Sequence, residues 1–231
     1  RLAGWEVVRI IQEPVAACLG SRWATDAADS LVVVYDLGGG TFDVSVVRTG
    51  GGAVEVLSVN GDAELGGIEL DRLIVDHCVE AFAANTGVDL RSAGAALVRI
   101  QDAAERAKIE LSSATETTVS VPFVTSRRGQ PLHLNVGLSR TRSHELTHAL
   151  VARTIQLTRK ALEDADCKAS EVSVLIVGRA SRAPSVRGAL EDLFGRRVPV
   201  SPDDIVARGA AVQAGMMAGE VKDVLLLDAT S

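Results

Sequence analysis

The sequence predicts an α/β protein whose apolar strands are interleaved with amphipathic helices. Three observations predict it. Leu31-Val-Val-Val-Tyr35 and Val172-Ser-Val-Leu-Ile-Val177 are apolar runs of strand length. Leu70, Leu73, Ile74, His77, Cys78, Ala81 and Phe82 recur at three- and four-residue intervals, the period of an amphipathic helix of about four turns. Residues 117–124 and 132–138 alternate about Arg128-Gly129, which reads as a hairpin.

In chain order, the β-branched run 7–11 is expected to be a strand, followed by a helix at 15–19 stopped by Gly20 and a polar turn at 21–30. The strand at 31–35 has hairpin neighbours at 44–47 and 54–57, turning through Gly38-Gly-Gly40 and Gly50-Gly-Gly52. The amphipathic helix from Gly67 precedes a second helix at 97–111, the hairpin, and a third helical stretch at 143–165. A strand at 172–177 ends in Gly178, and a short helix at 181–194 holds Pro184 in its first turn. Ser201-Pro-Asp-Asp204 offers an N-cap and acidic first-turn residues to a helix reaching about Ala218. Val224-Leu-Leu-Leu-Asp228 is a strand-like apolar tail. No repeat of solenoid length is visible.

The chain has 231 residues, enough for one large domain or two small ones at about 150 residues each. Hydrophobic residues make up 47%, charged ones 23%, and the mean hydropathy is +0.20, the composition of a globular protein rather than a disordered one. Aromatics are 3%, and 24 Lys+Arg stand against 30 Asp+Glu for a net charge of −6. With so few rings to stack bases and no basic field to attract phosphate backbones, nucleic acid is not an expected partner. No apolar run approaches the roughly 20 residues of a membrane span, and no secretory leader opens the chain. A cytoplasmic protein with no membrane partner is expected. Cys18, Cys78 and Cys167 are far apart and lack any C-x-x-C spacing, so neither a disulfide framework nor a zinc site is suggested. His144 and His148 lie four apart but lack an H-E-x-x-H pattern or a third ligand. Because the chain opens at Arg1 rather than methionine, it is expected to be a piece of a longer polypeptide.

Asp36-Leu-Gly-Gly-Gly-Thr-Phe-Asp43 closes a buried strand. Consecutive glycines let backbone N–H groups approach an anion without Cβ interference. Asp36 suits a hydrated magnesium ion and the Thr41 hydroxyl suits a terminal phosphate oxygen; a Gly-rich hairpin turn is the plainer alternative. Glu13, fixed before Pro14, can position a water or simply start a helix on the surface. Glu105, Lys108 and Ser112 fall on one helix face at i, i+3 and i+7 and can hold a ribose and a phosphate, or form an ordinary exposed pair. Val177-Gly-Arg-Ala-Ser-Arg182 is a strand-to-helix turn of the kind that brings backbone close to a ligand.

Taken together and in this order, these stretches resemble the nucleotide-binding domain of the seventy-kilodalton heat-shock chaperones, the DnaK-like family. Ile11-Gln-Glu-Pro-Val-Ala-Ala17, Tyr35–Asp43, Asn60-Gly-Asp-Ala-Glu-Leu-Gly-Gly67, Ala103–Ser113 and Gly209-Ala-Ala-Val-Gln213 carry the likeness, and Asp223–Asp228 resembles the linker to a peptide-binding domain. The resemblance implies a partial actin-like (ribonuclease H-like) ATPase fold divided into the end of a first lobe (1–30), a second-lobe core in two parts (31–66 and 139–200), a smaller helical and β subdomain (67–138), a helix returning to the first lobe (201–220) and the linker (221–231).

It further implies an ATP-binding and ATP-hydrolysing stress-response chaperone domain that uses ATP/ADP and Mg2+, with nucleotide state coupled to client-peptide binding. Co-chaperones and nucleotide-exchange proteins are the implied partners. Gly38, Gly39, Gly40 and Thr41 would contact phosphates, while Asp36 and Glu13 arrange magnesium through water. Glu105, Lys108 and Ser112 would hold ribose and base. Gly178, Arg179 and Arg182 would close the adenosine site, with Asp203 nearby. The chain departs from the family pattern at Arg179, where a second glycine is usual, and more mildly at Val15, Ala180, Ser181 and Ser201. The family's first phosphate loop and catalytic lysine belong to an N-terminal segment outside this sequence, so this segment alone is expected to hydrolyse ATP slowly or not at all. A degenerate nucleotide-binding regulatory module is the alternative function, and a sugar or acetate kinase of the same fold superfamily is a third.

Overall fold

The computed structural model describes residues 4, 7–21, 29–51 and 53–221. In chain order these form α1 (Glu13–Leu19), β1 (Ser30–Leu37), β2 (Phe42–Gly50), β3 (Ala53–Asp62), α2 (Gly67–Thr86), α3 (Gly94–Glu110), β4 (Glu116–Arg127), β5 (Gln130–Ser139), α4 (Arg140–Asp164), β6 (Ser173–Val177), a 3-10 turn (Arg179–Arg182), α5 (Pro184–Phe194) and α6 (Ile205–Met217). The main sheet has the order β3-β2-β1-β6. Its first three strands form an antiparallel meander, and β6 pairs parallel to β1. A parallel pair needs a long crossover, and everything from α2 to α4 lies within it.

Strand alternation sends successive side chains to opposite faces, and both faces are covered. Val33, Tyr35, Leu37, Phe42, Val44 and Val46 pack with Val151, Ala161 and Leu162 of α4 and Val186 and Leu190 of α5. The Tyr35 hydroxyl donates to Thr154 Oγ1 at 2.7 Å, which satisfies that buried polar tip. On the other face Val32, Val34, Val47, Leu175 and Val177 pack with Val15, Ala17, Cys18 and Leu19 of α1 and Ile205 of α6. There α1 and α6 approach backbone to backbone: a Cβ on Gly209 would fall 1.7 Å from the Ala16 carbonyl oxygen. A third core gathers Ile74, Cys78 and Phe82 of α2, Ile100 and Ala104 of α3, Val119 and Val121 of β4, and Leu134 and Leu138 of β5.

Several expectations need correction. Residues 7–12 have no regular structure, and Val7, Val8 and Ile10 are exposed. A strand exists only with a partner for its backbone groups, and no described strand pairs with this run. The helix expected at 181–194 starts at Pro184. Proline disfavours helical backbone in the residue before it, and Ala183 is extended at φ −56°, ψ 133°. Residues 179–182 therefore form a separate 3-10 turn. Ser201 does not cap the last helix, which begins at Ile205 behind Asp204. The Ser201 amide instead donates to the Ile176 carbonyl at 3.3 Å, and the Asp204 carboxylate accepts from Arg208. The linker-like stretch 223–228 lies outside the described residues. No helix among the described residues is long and apolar enough to cross a membrane.

Candidate functional site

Asp36 is the last residue of β1 on the face that packs against α1, in phase with Val32 and Val34. That phase aims it at the N-terminus of α1, where Glu13 precedes Pro14. Antiparallel register sets Asp43 of β2 directly opposite Asp36, on the same face of the sheet. Glu13, Asp36 and Asp43 line one cavity of about 390 Å³, together with Gln12, Pro14, Val34, Ser45 and Val59. Partial burial, the neighbouring charge and hydrogen bond of Glu13, and the charge of Asp43 together raise the Asp36 carboxyl to about 7. Like charges opposite one another are unfavourable, and no Lys or Arg lines this cavity. These oxygen donors fit a hydrated magnesium ion, which keeps several of its waters. No group of three or more His, Cys, Asp or Glu among the described residues could hold a metal ion directly.

The loop between those two aspartates is shaped by α2. The Gly67 amide donates to the Gly38 carbonyl at 2.9 Å and the Ile68 amide to the Gly39 carbonyl at 2.8 Å, while the Gly38 amide is taken by the Thr41 carbonyl at 3.0 Å. The carbonyls of Gly38 and Gly39 are thus turned to the helix. The amides of Gly39 and Gly40 donate to no described residue, which leaves them for an anion.

On the other side of this loop lies a cavity of about 480 Å³, in the size range of small-molecule sites. Gly38 and Gly39 form one wall, Glu105, Lys108 and Ser112 of α3 another, and Arg179, Arg182 and Asp203 a third. Residues separated by up to 165 positions in sequence thus meet at one place. Arg182 donates to the Asp203 carboxylate, and Arg179 Nε lies 3.6 Å from the same group. The large side chain at 179 therefore turns to Asp203, and it is 88% exposed rather than filling the cavity.

Gly178 is packed behind the wall. At φ +83°, a Cβ there would lie 2.2 Å from the Leu37 carbonyl oxygen and 2.7 Å from Asp36 Oδ1. Ser181 completes the weld between β1 and the turn: its hydroxyl accepts from the Leu37 amide at 3.3 Å and donates to the Val177 carbonyl at 2.5 Å. Its role is structural. Gly40 and Thr41 belong to the same loop without lining either cavity.

The family model described as Hsp70 protein matches residues 1–231. The chain belongs to the Hsp70 family. Its mixed sheet, flanking helices and β4–β5 hairpin constitute a partial actin-like ATPase fold of Hsp70 type. Hsp70 proteins are chaperones with an ATPase domain; in general they bind ATP or ADP with Mg2+ and work with client peptides and co-chaperones.

Three polar groups at these cavities are not singled out as site residues by the sequence. Asp43 ends the glycine motif, and it is the hairpin register that pairs it with Asp36. Gln101 lies four residues before Glu105 on the cavity face of α3. Asp71 falls between Gly67 and Ile74 on the apolar stripe of α2 and is 5% exposed. An acidic residue on a buried stripe was the available signal for it.

Proposed function

We propose that this chain binds the adenosine part of ATP or ADP in the cavity between the glycine loop, α3 and the 179–182 turn. We further infer that in the longer protein it hydrolyses ATP and couples nucleotide state to peptide binding through the linker at 223–228. The observation that carries the reading is the meeting of Gly39, Glu105, Lys108, Ser112 and Arg182 around one cavity, with three carboxylates on the far side of the loop.

Each residue then has a task. The Gly39 and Gly40 amides and the Thr41 hydroxyl donate to phosphate oxygens. Glu105 accepts from ribose hydroxyls, and Ser112 and Lys108 hydrogen-bond the ribose and base. The planar Arg182 guanidinium, oriented by Asp203, stacks on the purine. Asp36 and Glu13 hold the waters around a magnesium ion, which when bound neutralises phosphate charge. A cation there also favours the ionised form of Asp36. Glu13 orients the water that attacks the terminal phosphate, and Asp43 adds a third acceptor facing the same water.

A degenerate regulatory module is the second reading, favoured by Arg179 where the family pattern has glycine. Its guanidinium on Asp203 leaves the cavity open, which supports binding over loss of binding. Titration of the chain with Mg-ADP tests the reading, and saturable binding that Glu105→Ala and Arg182→Ala each weaken supports it. A wild-type chain that takes up no nucleotide refutes it.

A further inference from the structure

Along the cavity wall, α2 and α3 are joined by an ion pair. Asp71 and Lys108 have side chains only 7% and 15% exposed, and both line the cavity. Lys108 Nζ donates to Asp71 Oδ2 at 2.8 Å and to the Gly67 carbonyl at 3.1 Å. An ammonium has three N–H donors, so two are committed to α2. Asp71 Oδ1 is also 2.8 Å from Nζ but has no aligned hydrogen-bond partner among the described residues. Burial raises the Asp71 carboxyl, and Lys108 works against that rise. A buried pair of this kind gains little net stability over apolar packing, because desolvating both charges offsets their attraction. Stability alone is a weak reason for it to stand here.

Geometry supplies a better one. A lysine stem has four rotatable carbons, and an untethered ammonium would sweep the cavity as a mobile point charge. Anchored twice at the N-terminus of α2, it keeps one remaining N–H to offer a ligand. The carboxylate also cancels its charge, so what the wall presents is a directed donor.

We propose that Asp71 is a positioning residue of the nucleotide site, holding Lys108 Nζ so that its remaining N–H faces the bound nucleoside. This rests on the nucleotide reading above, and it adds a residue on α2 that acts only through Lys108.

A double-mutant cycle on the full chain tests it, with Asp71→Asn, Lys108→Met and the two combined, each titrated with Mg-ADP. Asp71→Asn is expected to weaken binding roughly tenfold, the equivalent of one hydrogen bond to a charged group. The double variant should bind no more weakly than Lys108→Met alone. Unchanged affinity in Asp71→Asn, or losses that add independently, would overturn the proposal. If the wild-type chain takes up no Mg-ADP, the nucleotide reading falls instead, and the tether is then judged without nucleotide. Proton–nitrogen spectra of lysine ammonium groups do this: an immobilised Lys108 gives a slowly exchanging signal in wild type that Asp71→Asn abolishes. A Lys108 signal that survives in Asp71→Asn, or is absent from wild type, would show that Asp71 does not hold it.

Discussion

Replacing Asp36 with asparagine probes the three-carboxylate cavity through its cost in stability. The Asp36 carboxyl lies at about 7 in the folded chain against an ordinary value of 3.8, so between those limits the folded state binds more protons than the unfolded one. Stability attributable to this group is therefore greatest below about pH 4 and declines as pH rises towards 7. At roughly 1.4 kcal/mol for each tenfold change in proton affinity, the full decline would be about 4 kcal/mol. Asp36 is only partly buried, so solvent screening reduces this to about 2 kcal/mol. Asp36→Asn removes the titrating group while keeping its shape. Chemical denaturation at several pH values from 4 to 7.5 should show wild type losing about 2 kcal/mol relative to the variant over that span. Parallel stability curves for the two proteins would refute the account of the cavity as an uncompensated acidic cluster.

Three further expectations follow from the packing. Gly178→Ala places a Cβ 2.2 Å from the Leu37 carbonyl at a backbone φ of +83°, and thermal unfolding should register a loss of about 2–5 kcal/mol. Gly209→Ala forces α6 off α1, where the new Cβ would meet the Ala16 carbonyl oxygen at 1.7 Å; about 1–3 kcal/mol should be lost by the same measurement. Arg179→Gly removes an exposed contact with Asp203, worth at most about 1 kcal/mol, so Mg-ADP affinity by calorimetry should change no more than about fivefold. A much larger gain would favour the degenerate module.

How far the sequence carried this reading depends on what each element needs from elsewhere. Strands β1, β2 and β6 were legible because their apolar runs are buried on both faces, and α2 because its stripe keeps the helical period. Residues 7–11 have the composition of a strand, but composition cannot supply the neighbour that a strand must pair with. The late start of α5 was already written in Pro184, whose ring keeps Ala183 extended. Ser201 looked like a cap because its type favours caps; its amide is instead used at the edge of β6.

At the site, the glycine loop and the 105–112 face were visible as local patterns. The encounter of Arg182 and Asp203 across 21 positions was expected only through the family resemblance. The pairing of Asp43 with Asp36 depends on strand register and the contact of Asp71 with Lys108 on helix packing; the local sign of Asp71 is an acidic residue on the apolar stripe of α2.

We propose that the adenosine cavity between the glycine loop, α3 and the 179–182 turn is already assembled in this chain. Calorimetric titration with Mg-ADP tests it most directly. Saturable binding of one equivalent with micromolar affinity is expected, weakened by Arg182→Ala and by Glu105→Ala. Absence of saturable heat with a folded, monomeric sample would contradict it.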